Sequence, residues 1–144
     1  MDLHDCISFA SEHPICYLAS EDGDQARVRA LLMWFADERG FYFMTMSPKR
    51  FSEQLHQNPK VEVCFFNGAS DLPDARTLRV TGPVEFVDDA VLTRKVAEER
   101  SALEDIIGVP LEPLTEVFRI GSGEAHFWTL TDILKERQLE TVSF

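Results

Sequence analysis

Long apolar runs are missing from this sequence of 144 residues. A membrane-spanning helix needs about 20 consecutive apolar residues, and no window approaches that length. Residues 1–11 include Asp2 and Asp5 and have neither the basic start nor the unbroken apolar stretch of a secretory signal peptide. We therefore expect a cytoplasmic protein that has no membrane partner.

Cysteine and histidine are also scarce. The three cysteines, Cys6, Cys16 and Cys64, are odd in number and show no Cys-x-x-Cys spacing, which argues against a disulfide framework. In a reducing compartment such thiols behave as small core residues. The four histidines are equally scattered, so the sequence predicts no metal site.

Basic residues are few, and most of the chain is acidic. Fourteen Lys and Arg against 25 Asp and Glu give a net charge of −11, which argues against a nucleic-acid partner. Residues 26–60 are the exception, with six basic and three acidic residues. One interpretation is chance clustering on a solvated surface. The other is a local anion site inside an otherwise repulsive protein.

Apolar spacing and turn residues predict the elements of the first half of the chain. A short amphipathic helix follows the N-cap Asp2, and a second helix begins with Ser47 as N-cap and Pro48 in its first turn and ends at Asn58-Pro59. An Asp-Gly turn at residues 21–24 joins the first two strands. The predicted strands of this half cover residues 15–19, 27–35, 41–45 and 61–66.

The second half begins with a polar loop at residues 67–76. Strict alternation then predicts a half-buried strand over 78–86, followed by a helix over 89–100 with Asp88 as its cap. A short helical stretch at 101–107 precedes a linker. The last elements predicted are a hairpin of strands 117–120 and 125–130 and a terminal helix over 131–137.

Six or seven strands joined mostly by short turns indicate antiparallel pairing. The sequence therefore predicts a mainly β domain, a barrel or sandwich with flanking helices, that occupies residues 1–144 as one unit.

The most informative residues, 45–50, lie at the end of the third predicted strand and just after it. Thr45 and Ser47 place two hydroxyls beside a predicted helix start, and Lys49 and Arg50 add two cations. Free backbone N–H groups at a helix start favour a phosphate, and basic side chains add charge-assisted hydrogen bonds. Arginines on the preceding strand can reach the same anion, since neighbouring strands lie about 5 Å apart. An N-capped helix with exposed basic residues is the alternative.

These residues also resemble a known family. The run RALLMWFADERGFYFMTMSPKRFSEQLHQNPKVEVCFF at residues 29–66 is similar to the flavin-binding segment of the pyridoxamine 5'-phosphate oxidase-like split barrels. It has the Arg-led strand, the Asp-Glu-x-Gly turn, the aromatic strand ending in Thr, the Ser-x-Lys helix start and the Asn-Pro-x-Val strand entry. The resemblance continues through residues 78–82 and 118–128. It implies a split β-barrel of six to seven antiparallel strands that binds FMN.

The resemblance assigns roles by position. Arg29 and Lys49 would hold the flavin phosphate, with Arg27 or Arg50 assisting, and Ser47 and Thr45 would contact the phosphate and ribityl chain. The backbone from Arg29 to Trp34, which includes Ala30 and Leu31, and that of Met44 would border the isoalloxazine ring. The family's flavin lies between two subunits, so a homodimer is implied, in which the partner contributes residues near Arg79 or Trp128.

Two departures from the family pattern affect the expected activity. Pro48 stands where the family has a second cation, and the residues after Trp128 contain no Arg-x-His substrate motif. We therefore expect not pyridoxamine phosphate oxidation but a short flavoprotein. It would be an oxidoreductase that passes electrons from a reduced nicotinamide or another donor to a small acceptor such as a nitroaromatic, quinone or oxygen. The alternatives are a non-catalytic flavin-binding or sensing module, and the same barrel binding haem, with His126 as a candidate ligand, or a deazaflavin.

Overall fold

Nine strands and four helices make up the computed structural model, which describes all residues from Met1 to Phe144. The helices are α1 (Leu3–Glu12), α2 (Arg50–Gln57), α3 (Ala90–Glu99) and α4 (Ala102–Ile107). The strands are β1 (Ile15–Asp22), β2 (Gln25–Leu32), β3 (Phe35–Asp37), β4 (Gly40–Met46), β5 (Lys60–Phe66), β6 (Arg76–Phe86), β7 (Thr115–Ile120), β8 (Glu124–Thr129) and β9 (Val142–Ser143). No helix is both long and apolar enough to cross a lipid bilayer.

The strands pair antiparallel throughout, in the order β2-β1-β5-β6-β7-β4-β3, with β8 on β6 and β9 on β8. Strands β2 and β3 stand at opposite ends of this order, yet only Met33 and Trp34 separate them in the chain. Two residues span less than about 10 Å, so the sheet must curl until its ends meet. This confirms the predicted mainly β, antiparallel split barrel with flanking helices.

The chain changes partner within the stretch predicted as one strand over 27–35. The Met33 N–H donates to the Pro14 carbonyl (2.8 Å), whereas the Trp34 N–H donates to the Tyr42 carbonyl (2.9 Å). The segment therefore leaves β1 and joins β4, which divides the predicted strand into β2 and β3. With the short C-terminal β9, this brings the total to nine strands instead of six or seven.

Helix α2 begins two residues later than predicted. The Ser47 N–H donates to the Leu114 carbonyl (2.9 Å), and the Lys49 N–H closes a turn on the Met46 carbonyl (3.0 Å). Lys49 is consequently the N-cap, and Ser47 is not. At α3 the cap is Asp89, one residue beyond the predicted Asp88. The predicted terminal helix is also wrong, because residues 131–137 contain only short 3-10 turns.

The predicted hairpin of the last two long strands does not form. Strand β7 pairs with β4 and with Val84–Phe86 at the end of β6, whereas β8 pairs with Arg76–Thr81 at its start. The connection between β7 and β8 crosses β6 at very close range. A Cβ at Gly82 would collide with the Ser122 carbonyl oxygen, so only glycine permits this crossing.

Replacing Gly82 with alanine is therefore expected to lower the free energy of unfolding by roughly 3 kcal/mol or more, because the clash involves backbone that cannot move aside. Gly68→Ala is the control. Gly68 has φ +70°, but a Cβ there meets no atom within 4 Å, so its cost is limited to about 1–2 kcal/mol of backbone strain. Chemical denaturation measures the free energy of unfolding of both variants. Equal losses would contradict the close crossing.

Two apolar layers lie on opposite faces of β4. Its Phe41 and Phe43 point into the barrel interior, where they join the larger core, whereas Tyr42 and Met44 pack with Val96 beneath α3. All three cysteines are free thiols: Cys6 and Cys16 are buried in the larger core, and Cys64 is half-buried. Burial raises the pKa of Cys6 to about 11 and of Cys16 to about 12, which leaves both unreactive.

Candidate functional site

Arg29 occupies the interior face of β2, opposite Leu18 of β1. Its guanidinium donates to the Ser20 hydroxyl (2.9 Å) and to the Gln54 carbonyl oxygen of α2 (2.8 Å). The same guanidinium lies 4.2 Å from the centroid of the Phe51 ring. Strand β1 and helix α2 therefore fix this cation at the helix-covered end of the barrel.

Lys49 approaches the same ring from the N-cap position of α2. Its ammonium nitrogen lies 5.7 Å from the Phe51 centroid, so Arg29 and Lys49 share one aromatic neighbour. Partial burial of the ammonium group and the nearby charge of Arg29 lower the pKa of Lys49, although the residue as a whole is exposed. Burial and the nearby charge of Arg27 lower the pKa of Arg29.

No carboxylate neutralises this pair of cations. None of the ion pairs in the structure involves Arg29 or Lys49. Two partly desolvated like charges raise the free energy of the protein unless an anion joins them. In a chain of net charge −11, such an unpaired cluster has the properties of an anion-binding site.

Thr45 adds an unsatisfied hydroxyl at the end of β4. The residue is 2 % exposed, and its Oγ1 has no hydrogen-bond partner. Buried hydroxyls without partners are rare in folded proteins, and a bound ligand is one common reason for them. Ser47 lies two residues further on, exposed in the turn before α2.

The other predicted site residues lie in different surroundings. Arg27 pairs with Asp22 (3.3 Å) and does not join the cluster, and Arg50 is exposed as the first residue of α2. Ala30 faces outward from β2, and Leu31 packs against the interior core. Met44 turns its side chain toward α3, so only its backbone can border a groove on the interior side.

Trp34 lies beside an open cavity of about 440 Å³ between the β2–β3 connection and the end of α3. Its indole N–H donates to the Glu99 carboxylate (2.6 Å), and Arg100 donates to the Leu32 carbonyl (3.0 Å). Pro14, Met33, Phe35 and Ala36 contribute to the walls. The cavity is thus largely apolar, and its one cation and one carboxylate are both already hydrogen-bonded.

The sequence analysis did not predict several residues of the site. Ser20, Gln54, Glu99 and Arg100 were not predicted, although Gln54 gave a usable signal. It shares the buried face of α2 with Phe51 and Leu55, and a polar residue on such a face needs a partner. The two residues at the end of α3 gave no local signal.

A family model described as pyridoxamine 5'-phosphate oxidase matches residues 4–128. No curated protein sequence matches the chain. Among solved structures, a NimC/NimA family protein from Clostridium acetobutylicum is 26 % identical with a TM-score of 0.74, and the match covers 98 % of this chain and 91 % of that one.

Two further structures share the fold at lower identity. An FAD-binding protein from Mesorhizobium loti is 20 % identical, with a TM-score of 0.69 and coverage of 88 % of this chain and 94 % of that one. The haem storage protein HutZ from Vibrio cholerae is also 20 % identical, with a TM-score of 0.63 and coverage of 90 % and 95 %. Proteins of this fold therefore carry names that refer to different prosthetic groups.

Proposed function

Because this chain belongs to the pyridoxamine 5'-phosphate oxidase family, we propose that it is an FMN-dependent oxidoreductase. The observation that carries the proposal is the pair of cations Arg29 and Lys49, which share the Phe51 ring and have no carboxylate partner. A phosphate would neutralise both. The unpartnered Thr45 hydroxyl at the same end of the barrel fits a ligand that also carries hydroxyl groups.

The residues present suit FMN in the following way. Arg29 and Lys49 would hold the phosphate, with Arg50 close in sequence as a further cation and Arg27 retained by Asp22. Ser47 and Thr45 would supply hydrogen-bonding groups. Backbone of Ala30, Leu31, Trp34 and Met44 would border the ring system. FMN supplies the electron-transfer chemistry when it is bound, and the protein binds and orients it.

The cavity beside Trp34 suits an uncharged, planar acceptor such as a quinone or a nitroaromatic. Its walls are mostly apolar, and the Glu99 carboxylate and the Arg100 guanidinium carry opposite charges, so the lining has no net charge. A phosphorylated substrate would meet a single cation there, Arg100, whose guanidinium already donates to the Leu32 carbonyl and lies near the negative charge of Glu99. We infer that electrons from a reduced nicotinamide or another donor pass to small acceptors of this kind.

Two assays on FMN-loaded protein test the activity. We expect NAD(P)H-dependent reduction of a quinone or nitroaromatic, and no release of pyridoxal phosphate from pyridoxamine phosphate. Robust pyridoxal phosphate formation would overturn the proposed acceptor class. No measurable activity in either assay would favour the non-catalytic flavin-binding module. Free FMN with the same donor and acceptor is the background control.

The absorption spectrum of the purified protein separates the prosthetic groups. We expect the yellow bands of an oxidised flavin. A Soret band would indicate haem instead, the alternative suggested by the shared fold with HutZ. His126, the candidate ligand, lies on β8 opposite Arg79 and not among the residues around Arg29. A deazaflavin would show its own absorption at shorter wavelength.

We also propose a homodimer that forms through the outward face of β1 and β2. Alternation places Ile15, Tyr17, Val28 and Leu32 on this face, where they are 49–69 % exposed. Ala19 and Ala30 lie between them, so this part of the face carries no charge in a chain that is otherwise acidic. Exposed apolar patches of this kind favour a protein partner, and a second copy meets no charge repulsion here.

A further inference from the structure

Helix α2 connects two separate parts of the sheet. On one side its Gln54 accepts hydrogen bonds from Arg29 of β2 and from Ser20 of β1 (3.1 Å). On the other side, its Ser52 and His56 reach the Glu116 carboxylate of β7. Helix α2 contributes Lys49, Phe51 and Gln54 to the surroundings of Arg29, and it is therefore held in place on both sides.

The contacts to Glu116 are short and directional. The Ser52 hydroxyl donates to one carboxylate oxygen at 2.5 Å, and His56 Nε2 lies 2.7 Å from the other. The His56 ring also stacks on Phe86 of β6, with 3.7 Å between ring centroids. Hydrogen bonds to a carboxylate are about twice as strong as neutral ones, so Glu116 is the main polar anchor on this side of the helix.

The position of Glu116 links this anchor to the anion site. Glu116 stands directly opposite Thr45 in the pairing of β4 with β7, and Thr45 carries the unpartnered hydroxyl. A rotation or shift of α2 about its own axis would move Lys49 and Phe51 relative to Arg29 and Thr45. Displacements of about 1 Å are enough to weaken a preorganised site.

We propose that Glu116 is a positioning residue of the cofactor site, which sets the orientation of α2 so that Lys49 and Arg29 converge on one phosphate. This inference rests on the proposed binding of FMN. It assigns Glu116 no contact with the cofactor. Its side chain is 23 % exposed, so a carboxylate at this place has access to water and its two bonds to α2 are not forced by burial.

The test compares the affinities of FMN and riboflavin for three proteins: wild type, Glu116→Ala and Glu116→Gln. We expect Glu116→Ala to weaken FMN binding by about tenfold, the equivalent of one hydrogen bond to a charged group, with riboflavin affinity unchanged. Glu116→Gln keeps an oxygen that accepts from Ser52 and should restore most of the FMN affinity. Glu85→Ala is the control. It removes the partner of Arg119 on the neighbouring strand and should leave the affinities for FMN and riboflavin unchanged.

The sign of the effect makes the test decisive. Removing a negative charge near a phosphate site would by itself tighten FMN binding, so weakening identifies orientation and not charge as the cause. Tighter binding, unchanged binding, or an equal loss for FMN and riboflavin in Glu116→Ala would each overturn the positioning role while leaving the FMN proposal intact. Absence of FMN preference in the wild type would overturn both.

Discussion

Replacing Arg29 with alanine is expected to weaken FMN binding by about 1.5–3 kcal/mol, roughly tenfold to a hundredfold. The guanidinium is held by Ser20 and Gln54, so its donors are already oriented before an anion arrives. Lys49→Ala should cause a loss of similar size, since its ammonium lies at the same Phe51 ring. Fluorescence titration of flavin-free protein measures both.

The control for these variants is Arg27→Ala. Arg27 lies two residues from Arg29 on the same face of β2, but its guanidinium pairs with the exposed Asp22 carboxylate. We expect this variant to change FMN affinity by less than threefold, since exposed ion pairs contribute about 0–1 kcal/mol. If Arg27→Ala weakened FMN as much as Arg29→Ala, the effect would be general electrostatics and not a specific site.

Replacing Val28 with aspartate is expected to convert the protein from a dimer to a monomer. Val28 is 69 % exposed on the outward face of β2, opposite Ala19 of β1, and a second copy on this face would bury it. Burying an unpaired carboxylate in an interface costs several kcal/mol. Light scattering at micromolar concentration should show about twice the chain mass of 16.4 kDa for the wild type and the single mass for the variant.

Val91→Asp is the matched control for the dimer. Val91 is equally exposed, at 72 %, but lies on α3, outside the outward face of β1 and β2. This variant should keep the dimer mass. If the flavin lies between two subunits, Val28→Asp should also lose FMN affinity in parallel with its mass. A monomeric variant that retains full FMN affinity would show that the groove belongs to one subunit.

Local patterns predicted most of the elements but not all of the strand partners. The alternation of residues 78–86 identified β6, yet nothing in it indicates that β7 and β8 pair with opposite ends of this strand. The Gly-Ser-Gly at residues 121–123 looks like a hairpin turn. In the structure, glycine is needed there and at Gly82 because two backbone segments cross closely, a requirement set by residues distant in sequence.

The predicted start of α2 was wrong for a similar reason. Ser47-Pro48 satisfies the local rules for a helix start, but the Ser47 N–H is used by the distant Leu114 carbonyl. The charge of Arg29 and Lys49 was visible in the sequence and led to the prediction of an anion site. Their supports, Ser20 and Gln54, come from elements that only the tertiary fold brings together.

The affinity of flavin-free protein for FMN relative to riboflavin shows whether Arg29 and Lys49 form a phosphate site. The two ligands differ only in the phosphate, which is the group that Arg29 and Lys49 are proposed to hold. We expect FMN to bind at least tenfold more tightly, the contribution of about one charged hydrogen bond, and the preference to shrink as salt is added. Equal affinities for the two ligands, at low and high salt alike, would mean that Arg29 and Lys49 do not hold the flavin phosphate.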